Sequence, residues 1–139
     1  MDLTKLMMEF LAEEGFRPQE TPFGLAFKCE GLNFLYLSDQ DDELYFRLML
    51  PRLLDVNEDN EDTVMKVMNE INANIKVVKL YTMDLTDENE EVDRSVWAAF
   101  EILADTTPEL KDIVPRAVAL LQNARLRFFS TLEAMAANS

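Results

Sequence analysis

Apolar residues recur along this chain at two spacings, and the switches between them divide it into elements. Leu3, Leu6, Met7, Phe10 and Leu11 fall on one side of a helix. Gly15, Phe16 and Pro18 follow as a left-handed stop, an apolar return contact and a bar to continuation. A first helix of about three turns is predicted. From Phe23 the pattern shortens: Phe23 to Cys29, Leu32 to Leu37 and Leu44 to Leu50 are β-rich runs separated by Glu30-Gly31 and by the acidic stretch Asp39 to Glu43. They predict a three-stranded antiparallel meander, and Pro51 should end its third strand because proline cannot donate to a ladder.

Between Thr63 and Tyr81 the spacing turns from helical to β-rich. Val64, Val67, Met68 and Ile71 recur at helical intervals after an acidic entry from Asp55 to Asp62, and Asn72 and Asn74 mark the helix end. Ile75 to Thr82 is then a fourth strand, Met83 to Asp93 an acidic loop, and Ser95 to Leu103 a fifth strand. Leu32, Phe34 and Tyr36 share one face of their strand while Leu35 and Leu37 share the other. Val96, Ala98, Phe100 and Ile102 likewise alternate with Trp97, Ala99, Glu101 and Leu103. Both faces of the sheet therefore carry bulk and both need cover.

Thr107-Pro108-Glu109 reads as a cap, a first-turn proline and an acid suited to the positive helix end. A closing helix of about 25 to 30 residues is expected, with a kink at Pro115. The pattern thus predicts one α+β domain over residues 1–139. It has an antiparallel five-stranded sheet flanked by helices, in the order α-β-β-β-α-β-β-α.

Charge narrows the classes of partner. The chain has 27 acidic and 13 basic residues, no histidine and a net charge of −14. That disfavours nucleic acid, whose binding draws on Lys and Arg, and anionic membrane surfaces for the same reason. The single cysteine, Cys29, has no internal disulfide partner. Neither a secretory leader nor an apolar run of roughly 20 residues stands out. A cytoplasmic address is expected.

No reaction is spelled out. Asp55 to Glu61 begins like a calcium loop, but Asn60 stands where glycine is needed and Lys66 where a bidentate glutamate is needed. Acids gathered at a helix start explain it better. No histidine serves as a base, and there is neither a glycine-rich phosphate loop nor a nucleophile elbow. Cys29 reads as a small packed residue. No catalytic residue, metal ligand or cofactor is assigned.

The last helix carries the strongest functional signal. Its apolar residues, from Leu110 and Val114 to Phe129 and Met135, cover roughly half its circumference, wider than a one-sided stripe. Arg116, Arg125 and Arg127 add local positive charge, with no acid between Asp112 and Glu133. Val118, Leu126, Phe129, Arg116, Arg125 and Arg127 are therefore candidates for an interface, foremost with a second copy. A helix that simply gives the sheet a wide cover fits the same pattern, and the sequence leaves both open.

Phe10-Leu-Ala-Glu-Glu-Gly-Phe16, Phe27-Lys-Cys-Glu-Gly-Leu-Asn-Phe34 and Asn69-Glu-Ile-Asn-Ala-Asn-Ile-Lys-Val-Val-Lys79, with the strand Val96 to Leu103 and the closing helix, resemble the YbjN family of proposed bacterial sensory transduction regulators. The type III secretion chaperone-like fold comes with it. The resemblance implies an antiparallel sheet flanked by helices and often a dimer, and it carries over no catalytic residues. Two functions follow as expectations. The first is a non-enzymatic, chaperone-like protein-binding or regulatory module, homodimeric, that holds a protein or peptide segment on apolar surface of its sheet or last helix. The second is a small-ligand binder or enzyme with a carboxylate-lined pocket between sheet and helices.

Overall fold

The computed structural model describes residues 2–137. Their order is α1 (Leu3–Glu13), β1 (Gln19–Thr21), β2 (Gly24–Cys29), β3 (Leu32–Leu37), β4 (Tyr45–Asp55), α2 (Glu61–Asn74), β5 (Val78–Thr86), β6 (Val92–Leu103) and α3 (Leu110–Ala137). The six strands form one antiparallel sheet in the order β1-β2-β3-β4-β6-β5. The α+β class and the meander stand; the strand count of five does not.

The first helix starts and stops as its sequence dictates. The Asp2 side chain accepts from the Lys5 N–H at 3.0 Å. At the far end Gly15, at φ 87°, lets the Phe16 N–H reach the Leu11 carbonyl and its own N–H reach that of Ala12. These two bonds are a Schellman closure. Glu30 and Gly31, both at positive φ, make the two-residue β2–β3 turn, whose hand matches the twist of the strands. Gly24 is fixed by crowding: a Cβ there would run into the Tyr36 carbonyl across the ladder.

Four expectations need correction. β1 was not predicted, because Gln-Glu-Thr offers no apolar alternation and it holds only through its pairing with β2. Pro51 does not end its strand: β4 runs on to Asp55 through a register shift between Leu50 and Leu54, with Arg52 at φ 51°. A bulge tolerates the missing N–H, and β3 pairs with β4 only at Leu48 and Met49, so no bond to β3 is lost at Pro51. The acidic stretch from Met83 to Asp93 is mostly ladder, since Met83–Ser95, Asp84–Arg94, Leu85–Asp93 and Thr86–Val92 are paired. Finally, α3 opens at Leu110, with Thr107 and Pro108 ahead of it. Glu109 stands at the cap instead, its carbonyl accepting from the Asp112 and Ile113 N–H groups.

All three helices lie on one face. Leu3, Met7 and Leu11 of α1, Val64, Val67 and Ile71 of α2 and Val114, Ala117, Leu121, Ala124 and Phe128 of α3 join Phe34, Phe46 and Phe100 of the sheet in one buried cluster. Burying side chains of this size removes about 1.5–3 kcal/mol each of unfavourable hydration. A cavity of about 360 Å³ remains at one end of this layer, between α1, α3 and β2.

Candidate functional site

The other face of the sheet has no helix over it, yet it is not polar. Met49 of β4 and Trp97 and Ala99 of β6 are buried there, packed with Leu35 and Leu37 of β3 and with Tyr81, Met83 and Leu85 of β5. β3 and β5 share this cluster although β4 and β6 stand between them. Each outer strand packs on its inner neighbour, so the cluster runs across all four strands on this face.

Over this cluster lies a trough of about 420 Å³. Phe23, Leu35, Leu37, Met83, Leu85 and Trp97 make its apolar lining. Phe23 stands 72% exposed at the lip, a cost in hydration that the isolated chain does not recover. The floor is held by polar bonds that point away from solvent: the Trp97 indole N–H donates to Ser95 Oγ at 2.9 Å, and Ser95 is fully buried. The Tyr81 hydroxyl meets Met49 Sδ at 3.7 Å, and burial pushes that phenol's pKa up, partly offset by the charge of Arg47.

Arg47 is the one ionised side chain in the lining, beside Ser38 and Gln40. Its guanidinium carbon stands 5.4 Å from the centroid of the Tyr45 ring. An apolar concavity with one fixed cation can hold an apolar body and orient it by one anionic group.

The other concavities carry more than one ionised group in their lining. The largest, about 590 Å³, opens beside β1 and is lined by Arg17, Gln19, Lys28 and Asn33 as well as Phe16 and Phe27. A cleft of about 260 Å³ at the start of α1 is lined by Asp2, Asp39, Asp42 and Glu43. Its acids build local turns: Asp39 accepts from the Asp41 N–H and Asp42 from the Leu44 N–H. The calcium-like stretch is likewise committed, with Asn57 accepting from the Asp59 and Asn60 N–H groups and Asn60 donating to the Asp55 carbonyl. Cys29 is half-buried, and burial, with Glu30 beside it, raises its thiol pKa above the usual value, away from the reactive thiolate.

The six interface candidates on α3 do not share one face. Val118 and Phe129 pack partly against the main cluster, and Arg125 lies 5.2 Å over the Phe129 ring on the same flank. Leu126, 64% exposed, points away from the buried stripe. Arg116 and Arg127 are exposed and, at about 100° per residue, fall on the far side from Val118 and Phe129. Most of the helix's breadth is used to cover the sheet.

Sequence reading found the bulk on both sheet faces but missed Arg47, Met83 and Leu85. Arg47 sits between Phe46 and Leu48 like any outward strand residue, and only the concavity on its face makes it a lining group.

No family model and no curated protein matches the chain. Among solved structures, the crystal structure of YbjN, a proposed transcription regulator from E. coli, superposes with a TM-score of 0.64 at 14% identity, covering 96% of this chain and 92% of that one. The chain has the YbjN fold. At that identity the likeness to YbjN concerns architecture alone. No helix among the described residues is long and apolar enough to cross a membrane.

Proposed function

We propose that this protein is a non-enzymatic, chaperone-like binding or regulatory module that holds an apolar segment of another protein in the trough on its uncovered sheet face. The observation that carries this reading is the concavity itself, in which side chains from β3, β4, β5 and β6 form an apolar lining open to solvent. A groove of this kind suits alternate side chains of an extended or helical segment. The description of YbjN as a proposed transcription regulator is compatible with a regulatory role exerted through protein contacts. A net charge of −14 disfavours direct contact with phosphates.

A second copy belongs on a separate surface. Leu126, flanked by Val118 and Phe129, offers α3 as the seam of a cytoplasmic homodimer and leaves the trough free. The alternative of a carboxylate-lined pocket between sheet and helices has a counterpart of about 360 Å³ between β2, α1 and α3, but its lining is mainly apolar and Glu30, one of its two acids, already accepts from Gln122 Nε2 at 3.0 Å.

The test is a photo-crosslinking amino acid placed at Leu37 in the native cell, with the same probe at Met65 on α2 as control. Covalent adducts to a discrete protein from position 37 and not from 65 support the reading. Their absence from position 37 overturns it.

A further inference from the structure

Arg47 is unusual in what it lacks. Its Nε is buried and has no hydrogen-bond partner. Glu101 stands directly opposite in the β4–β6 ladder, but its carboxylate is paired with Lys79 instead. No carboxylate forms an ion pair with Arg47 among the described residues. A buried N–H left unmatched leaves the guanidinium short of partners, and a carboxylate arriving in the trough can accept from the terminal guanidinium N–H groups, two oxygens to one fork.

We propose that the segment received by the trough carries one carboxylate between large apolar residues, and that this carboxylate pairs with Arg47 while its neighbours pack against Leu37, Met83, Leu85 and Trp97. This rests on the trough being a protein-binding site. The occupant is a polypeptide segment with a single Asp or Glu at that place. An acidic tract would be repelled by a protein of net charge −14, whereas a lone acid meets only the local field of Arg47. A second copy fits poorly here: packing this face on itself about a two-fold axis brings Arg47 towards its own counterpart, and Glu101 is already engaged by Lys79.

The experiment is selection of random twelve-residue peptides displayed on phage against the full chain, followed by affinity measurement of each selected peptide and its Glu-to-Gln or Asp-to-Asn twin. The expected peptides have one acid at a fixed place between two or more large apolar residues. The twin should bind about tenfold more weakly or worse. On Arg47→Gln the two should bind alike, and Leu37→Glu should abolish both. Because the twin comparison is made on the unaltered protein, a failure of either variant to fold does not blunt it. Apolar peptides whose acid and amide forms bind equally would overturn the carboxylate requirement and leave the segment-binding reading standing. Failure to select any peptide that Leu37→Glu rejects would overturn that reading and this inference with it. Peptide binding that falls as rising protein concentration drives dimer formation would make a second copy the occupant and overturn the inference.

Discussion

The side chain of Asn72, on the last turn of α2, hydrogen-bonds both backbone groups of Leu80 in β5. It accepts from the N–H at 2.8 Å and donates to the carbonyl at 3.0 Å. β5 is an edge strand, and these are groups that a further strand would otherwise take. One amide thus ties a helix to the sheet and closes part of an edge that would invite unwanted pairing. The helix-end role expected of Asn72 understates what it does.

Replacing Asn72 with Ala leaves both Leu80 groups unmatched. The expected loss is about 1–3 kcal/mol of stability, read by urea denaturation, together with self-association through the opened edge at high concentration. Asn72→Asp keeps the acceptor and loses the donor, so it should fall between the two. A variant as stable as the parent would show that water replaces the side chain at no cost.

Leu126 tests the proposed dimer separately from the trough. Because it is exposed, Leu126→Asp should change monomer stability by no more than about 0.5 kcal/mol. It should nonetheless shift light-scattering mass from dimer to monomer. Unchanged association would place the seam elsewhere, and a monomeric parent would remove it.

Glu101 and Asp84 should respond to pH with opposite signs. Burial raises the Glu101 carboxyl above its usual range, even though Lys79 is paired with it. The burial effect is the one to rely on, since the Lys79 side chain is 58% exposed and its charge is well hydrated. With its folded pKa raised, Glu101 favours folding while protonated, and that contribution is lost as pH rises through the folded value. The stability of the parent relative to Glu101→Gln should therefore increase on going from pH 7 towards pH 5. Asp84 is held below its usual range by hydrogen bonds from Arg94, at 2.7 and 3.2 Å. Its contribution is present above the ordinary carboxylate pKa and disappears as pH falls through the lowered one. Asp84→Asn should thus cost stability at neutral pH and converge with the parent in strong acid. Parallel pH profiles for either variant would contradict the assignment.

Much of the framework is legible in the chain because its causes are local. Gly15 and Phe16 announce the end of α1, and the two-faced alternation in Leu32 to Leu37 and Val96 to Leu103 announces a sheet loaded on both sides. The trough is not legible, because it depends on strand order: β6 and β5 follow β4 across the sheet. Pro51 signals an end when read along the strand, but in the ladder it sits at a bulge that lets β4 continue. Met83 and Leu85 look like loop residues among acids until their pairing with Ser95 and Asp93 is seen. On α3 the apolar breadth that points to an interface is mostly spent covering the sheet, as at Val118 and Phe129, and the positive charge of Arg116 and Arg127 falls on the opposite side.

Trp97 is the chain's single tryptophan and lies on the trough floor, so its fluorescence reports on that site alone. The decisive measurement is its emission during titration with a selected peptide. The account predicts a saturable change in intensity or wavelength that follows the binding isotherm and is lost in Leu37→Glu. Binding that saturates while Trp97 emission stays constant would place the segment on another surface and contradict the account.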